Sequence, residues 1–248
     1  MTDNYFNKIF GKLPIIGMIH LAGPKPAERA LEEIAIYEKE EVDGAIIENY
    51  HSSIIDVERT LKALKGNTSL TLGVNILPNH FYISFELAEE YKASFIQLDY
   101  VAGRYTGGTL NENIYSDLRK KFKDIAVLGG VWPKYYTPVL GSSLEDDLKK
   151  AIGRTEAIVV TGKGTGKETP VNKISEFRRI IGEHPLIVGA GLTLQNAWKQ
   201  LMIADGAIVG SYFKRDNNTY NHVEREMVNR FMRTVNEIRK KKEENSKE

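Results

Sequence analysis

Leu186-Ile-Val188-Gly-Ala-Gly191-Leu-Thr193 and, one helix later, Ala207-Ile-Val209-Gly-Ser211 decide how the chain reads. Each is a short apolar, β-branched run that ends in small residues just before a helix opens. A strand end of this kind points backbone N–H groups outward, and the helix dipole adds partial positive charge to them. Such an end attracts phosphate. Two of them separated by one helix, late in a chain of 248 residues, is the arrangement by which the last two loops of a (β/α)8 barrel hold a substrate's phosphate. Taken singly, the glycines fit tight strand-to-helix turns equally well.

Working back from that stretch, β-rich apolar runs begin near Ile15, Ala45, Leu70, Phe95, Ile125 and Ala157, ahead of those at Leu186 and Ala207. Successive starts lie 21 to 32 residues apart, which fits a strand, a loop, a helix and a return loop each time. Pro14-Ile-Ile-Gly-Met-Ile19 is apolar at consecutive positions, as in strands covered on both faces. The expectation is an α/β fold, a (β/α)8 TIM barrel with an eight-stranded parallel sheet, forming one domain over residues 1–238. The helices carry one apolar stripe each. Leu144, Leu148, Ala151 and Ile152 stand behind a Ser142-x-x-Glu145 capping box; Ile114, Leu118 and Phe122 form a second stripe; Val223, Met227, Phe231, Val235 and Ile238 form the last. Residues 239–248 contain no apolar side chain and read as a frayed, charged tail.

Lys and Arg number 34 against 33 Asp and Glu, a formal charge of +1, so no whole-protein field favours nucleic acid. Cysteine is absent, which removes disulfides, thiolate metal sites and a cysteine nucleophile, and suits a reducing cytoplasm. The opening residues show no signal-peptide pattern, and no window approaches the roughly 20 apolar residues of a membrane span, so a cytoplasmic protein with no integral membrane segment is expected. A homo-oligomer is expected only as the common habit of such barrels.

In a barrel the strand C-termini share one mouth, so polar residues there meet although distant in sequence. They are His20 after the first strand, Glu48 and Asn49 after the second, Asn75 after the third, and Gln97 with Asp99 in the fourth. Trp132 and Lys134 follow the fifth strand, and Thr161-Gly-Lys-Gly-Thr-Gly-Lys167 follows the sixth. Glu48 and Asp99 each end an apolar run, where desolvation can raise a carboxyl toward a useful acid/base value. Each could equally be an ion-pair partner of Lys134 or Lys163, or cap a helix. His20 is either an acid/base or a scaffold hydrogen-bonder. The five histidines lack zinc-site spacing, while Glu48 and Asp99 are the carboxylates that would hold Mg²⁺ if the site takes one. The Gly162, Lys163 and Gly164 segment is not a Walker A loop, since the Gly-Lys-Ser/Thr ending is missing. It suits a mobile lid or an anion-binding nest. Arg104, beside Gly107-Gly108, could reach a carboxylate or phosphate, or sit in a solvated turn.

Six ordered segments then point to one family. Pro14-Ile-Ile-Gly-Met-Ile-His-Leu21, Val42-Asp-Gly-Ala-Ile-Ile-Glu-Asn-Tyr50, Gly73-Val-Asn-Ile-Leu77, Val159-Val-Thr-Gly-Lys-Gly-Thr-Gly166, Val188-Gly-Ala-Gly-Leu-Thr193 and Ala204-Asp-Gly-Ala-Ile-Val-Gly-Ser211 with Lys214 resemble the BtpA/SgcQ family across nearly the whole chain. The resemblance implies a TIM barrel akin to the ribulose-phosphate-binding barrels. The family takes its name from a membrane-associated factor in photosystem I biogenesis, and other members are viewed as sugar-phosphate or nucleoside-related enzymes; it implies no established reaction. This chain departs from the pattern on one side of the mouth. Ala22-Gly-Pro-Lys25 replaces a Pro-rich segment, Lys134-Tyr135 a Lys-His pair, Gln97-Leu-Asp99 an Arg-x-Asn, and Thr106-Gly-Gly-Thr109 a Thr-Asp-x-Gly loop. A constant phosphate anchor facing a changed opposite wall is what altered specificity would produce.

The sequence therefore leads us to expect an enzyme on a small phosphorylated metabolite, of isomerase or lyase type. Glu48, Asp99, Lys134, His20 and Asn75 would form the catalytic group, and Gly162, Lys163, Gly164, Gly189, Gly191, Gly210 and Ser211 would bind phosphate. The alternative is a non-catalytic assembly factor that keeps the anion site.

Overall fold

The computed structural model of the chain describes residues 5–245. Its centre is a closed barrel whose eight strands are all parallel to their neighbours. Around the barrel these are β1 (Ile15–His20), β2 (Gly44–Glu48), β3 (Thr71–Asn75), β4 (Phe95–Leu98), β7 (Ala126–Gly130), β8 (Ala157–Val160), β9 (Leu186–Val188) and β10 (Gly206–Val209), with β10 closing onto β1. The two remaining strands, β5 (Arg104–Tyr105) and β6 (Gly108–Thr109), make a small antiparallel hairpin in the loop after β4. The expected TIM barrel is present.

Helices α2 (Pro26–Lys39), α3 (Ile54–Leu64), α4 (Phe81–Tyr91), α5 (Glu112–Lys121), α6 (Leu144–Ile152), α7 (Val171–Ile181), α8 (Leu194–Leu201) and α9 (Arg225–Asn245) alternate with the strands. Each strand is covered outside by helices and inside by the opposite wall, which is why the runs are continuously apolar. Alternate positions along each strand divide the two cores. Ile15, Ile19, Ala45, Ile47 and Val74 face the helices, while Ile16, Met18, Ile46, Phe95, Leu128, Val159, Ile187 and Ile208 fill the barrel. An additional helix, α1 (Tyr5–Phe10), inserts Phe6 and Phe10 into the lower end, where the Phe10 ring meets Phe95 edge-on at 5.0 Å.

Four local expectations need correction. The cap of α6 is Ser143, whose hydroxyl accepts from the Asp146 amide, one residue later than the expected box. Ile114 is 48% exposed, and the packed face runs through Tyr115, Leu118 and the expected Phe122. In α9 the stripe runs through Val228, Phe231, Met232, Val235 and Ile238, with Met227 only half-buried and Val223 preceding the helix. The tail is also not frayed from residue 239, because α9 continues to Asn245. Lys242 Nζ donates to the Leu201 and Ala204 carbonyls at 2.9 and 2.8 Å, and Arg239 bonds Asp43 and the Leu13 carbonyl, so long basic side chains dock on carbonyl groups at the lower rim. Residues 246–248 of the expected tail lie outside the described residues. Among the described residues no helix is long and apolar enough to cross a membrane.

Candidate active site

Because side chains alternate along a strand, the last inward position of each strand forms one ring at the mouth. His20, Glu48 and Asn75 hold this position on β1, β2 and β3, where the register pairs His20 with Glu48 and Glu48 with Asn75. Gln97 continues the ring from β4, and Asp99 lies two residues beyond it on the same face. A cavity of about 100 Å³ opens here, lined by His20, Glu48, Gln97, Asp99 and Lys134 on one side and by Gly189, Gly191, Gly210 and Ser211 on the other.

A directed hydrogen-bond chain orders the floor. The Asn75 amide nitrogen donates to Glu48 Oε1 at 2.7 Å and also to Gln97 Oε1. Glu48 Oε2 faces His20 Nε2 at 3.7 Å, too far for a hydrogen bond, with the two side chains only 6% and 5% exposed. Burial pushes the Glu48 carboxyl up to about 7. The nearby Lys134 charge pulls it back, Asp99 raises it again, and the Asn75 hydrogen bond lowers it. His20 is driven well below the ordinary imidazole value, first by burial and then by the positive charges of Lys214 and Lys134, so it is neutral at physiological pH. Its ring packs edge-on against Tyr50 at 4.9 Å. Burial also raises Asp99, opposed by the hydroxyl of Tyr136, which donates to Asp99 Oδ2 at 2.9 Å, and by Lys134.

Lys134 is aimed by an unusual turn. Trp132 and Tyr135, on either side of it, adopt φ of 46° and 69°, a left-handed region that costs bulky residues free energy. Three bonds hold the turn. The Trp132 ring nitrogen donates to Asp147 at 2.9 Å, the Trp132 amide to the Tyr105 hydroxyl at 3.0 Å, and the Lys134 amide to Thr161 Oγ1 at 2.8 Å. Below it, Lys173 Nζ ties the Trp132 and Thr161 carbonyls together at 3.0 and 2.9 Å.

The segment after β8 crosses the mouth. Thr165 Oγ1 accepts from Lys134 Nζ at 3.0 Å and from Tyr50 Oη at 3.1 Å, and the Thr165 amide donates to Tyr135 Oη at 2.8 Å. Gly162, Lys163 and Gly164 do not line the cavity. A Cβ on Gly162 would stand 2.6 Å from the Glu168 carbonyl, Gly164 lies against Tyr135 and Lys167, and Lys163 is exposed. Their residue types serve the fold of this crossing loop.

The glycines at the strand ends are required for a different reason from the one the sequence suggests. A Cβ on Gly210 would stand 2.7 Å from His20 Cε1, and one on Gly191, whose φ is +67°, would overlap the Lys167 carbonyl at 2.2 Å. Protein atoms, not a ligand, set the immediate limit. Arg104 is exposed on the β5–β6 hairpin and does not line the cavity. Lys214 is wholly buried and pairs with Glu33 at 2.6 Å, away from the cavity lining. Tyr50, Tyr136, Thr165 and Gly166 line the cavity without having been singled out. Tyr50 sits two residues past Glu48 and so had an inward-facing signal; the glycines marked the loop after β8, but no pattern marked the contacts of Thr165 or the left-handed bend around Lys134. Among the described residues no group of three or more His, Asp or Glu side chains is gathered to hold a metal.

The profile of the BtpA family matches residues 12–237. An uncharacterized protein of Thermococcus kodakarensis is 30% identical over 259 aligned positions, covering 93% of this chain and 98% of its own. The Photosystem I biogenesis protein BtpA of Synechocystis is 24% identical, covering 92% of this chain and 90% of its own. Among solved structures, N-(5'-phosphoribosyl)anthranilate isomerase from Pyrococcus furiosus superposes with a TM-score of 0.60 at 16% identity, over 89% of this chain and 97% of that one, a likeness of fold. With the family profile spanning barrel and mouth alike, this chain belongs to the BtpA family.

Proposed function

We propose that the protein is an enzyme acting on a small phosphorylated metabolite by proton transfer at carbon, as an isomerase or a lyase of the retro-aldol type. The observation that carries this reading is Glu48, a carboxyl sealed at the mouth of the barrel and pushed up to about 7, so that it can give or take a proton near neutrality. Lys134 supplies the positive charge for an oxygen that becomes negative as the carbon is deprotonated. Asn75 holds the Glu48 carboxyl in place, and neutral His20 packs its other side without adding charge. The small-residue ends of β9 and β10, Gly189 to Gly191 with Gly210 and Ser211, leave room across the cavity for a phosphate, as the last two loops of such barrels do. The phosphoribosyl substrate in the name of one structural neighbour is consistent with that placement.

A thermal-shift screen against phosphorylated metabolites tests the reading, since a ligand at about 100 times its Kd adds about 2.7 kcal/mol of apparent stability. Hits that need the phosphate, and turnover that vanishes in Glu48→Gln, support it. The Synechocystis relative's name keeps a second reading open, a biogenesis role without chemistry. That role would survive Glu48→Gln intact.

A further inference from the structure

The polarity of the floor chain fixes what the wall opposite the phosphate end can recognise. Asn75 turns its NH₂ group toward Glu48 Oε1, donating to it at 2.7 Å. That same NH₂ reaches Gln97, which must answer with its oxygen. The Gln97 NH₂ is thereby left for the cavity, which Gln97 lines. Two residues on, Asp99 has Oδ2 taken by the Tyr136 hydroxyl, leaving Oδ1 on the same inward face. The wall thus offers one donor beside one acceptor.

We propose that the substrate is a short phosphorylated compound whose end remote from the phosphate is a hydroxyl, accepting from the Gln97 amide and donating to the Asp99 carboxylate. This rests on the phosphate reading above. A hydroxyl satisfies both groups at once. A carboxylate would meet Asp99 charge against charge, an ammonium would pair with Asp99 but leave the Gln97 NH₂ without an acceptor, and a methyl would leave two desolvated polar groups unpaired. Barrel order places β10 directly across from β4, so Ser211 and the Gln97–Asp99 pair face each other. Eight strands about 4.8 Å apart and tilted about 36° enclose a barrel roughly 15 Å across. A phosphate at one wall and the Asp99 side chain at the other leave roughly 5 to 7 Å, the span of about three to five carbons.

The test is calorimetric titration of the whole protein with unreactive probes matched in length: erythritol 4-phosphate, its terminal deoxy analogue and 4-phosphoerythronate, with the five-carbon set in parallel and inorganic phosphate as reference. In at least one length series the hydroxyl-ended probe should bind about tenfold or more tighter than the deoxy probe and tighter still than the carboxylate. Asp99→Asn and Gln97→Glu, both isosteric, should collapse those ratios while leaving the affinity for inorganic phosphate within about twofold. Equal binding of the three ends in both series overturns the proposal and spares the phosphate reading. Failure of every probe, inorganic phosphate included, overturns both.

Discussion

His20 and Glu48 are register partners on β1 and β2, and their side chains stop 3.7 Å apart, each almost sealed from solvent and neither offering the other a full charge to pair with. A carboxylate beside a neutral imidazole, with one amide bond from Asn75, is poorly compensated for the water it has lost. That deficit raises its pKa, and it has a thermodynamic signature.

A carboxyl raised from 4.5 to about 7 in the folded state favours folding while protonated. The contribution is complete below pH 4.5, where folded and unfolded forms both hold the proton, and is lost as pH rises through about 7. Glu48→Gln keeps the shape without the charge, so it should be more stable than the wild type at pH 8, by at most about 3 kcal/mol, and equal to it near pH 4. Thermal melts of both proteins between pH 4 and 9 check this. A wild-type curve that gains on the variant with rising pH would show that Glu48 is well compensated.

Lys134 lowers the Glu48 and Asp99 carboxyls through its charge. Lys134→Met should therefore move the Glu48 titration above about 7 and shift the stability profile toward alkaline pH. Carboxyl-selective NMR or infrared titration of the two proteins reads the shift directly. No displacement would mean that solvent screens the pair despite its burial.

The barrel and most of the mouth were legible because both follow from period and register. Apolar runs repeating every 21 to 32 residues give the barrel, and alternation from Ile16 through Met18 to His20 tells which polar residue is last to face inward. What stayed hidden arises from loops, whose geometry no period governs. Thr165 reaches Lys134 across 31 positions, and Trp132 and Tyr135 bend left-handed around it, because several side chains from other loops hold them there. Gly210 shows a subtler failure. The sequence marks the position as room for an anion, but its neighbour is the His20 ring, so Gly210→Ala should disturb the His20–Glu48 pair and weaken phosphorylated and unphosphorylated ligands together. Ser211→Ala adds no bulk and is the cleaner probe of the phosphate end.

Lys214 follows β10 but does not line the cavity. It instead anchors the segment after β10 to α2 through Glu33, which also accepts from Arg29 at 2.9 Å and from the Val223 amide at 3.2 Å. Removing Lys214 takes one of two cations from the buried Glu33 carboxylate and leaves Arg29, so Lys214→Met should cost about 1 to 3 kcal/mol, measured by denaturant unfolding. Adding Glu33→Gln to Lys214→Met should cost further stability, because it also takes the carboxylate from the buried Arg29 guanidinium.

Thr165 holds the crossing loop shut through one oxygen and one amide: the hydroxyl takes Lys134 and Tyr50, and the amide takes the Tyr135 hydroxyl. Thr165→Val keeps the volume and the amide bond but removes the shared acceptor, leaving Thr165 itself tied at one point instead of three. Lys163 and Lys167 flank it and are exposed, so trypsin can report its opening. Cleavage tracks the open population when opening is fast relative to cutting, and losing hydrogen bonds to charged and phenolic donors of about 1.4 kcal/mol in total would raise that population about tenfold. Limited proteolysis at low trypsin should therefore cut the variant at Lys163 or Lys167 several-fold faster, with the rest of the chain protected as in the wild type. Inorganic phosphate should slow both proteins if it draws the loop down on Gly166 and Ser211, whose close approach already brings the two loops together. Identical cleavage rates for wild type and variant would mean that the Thr165 hydroxyl does not hold the loop.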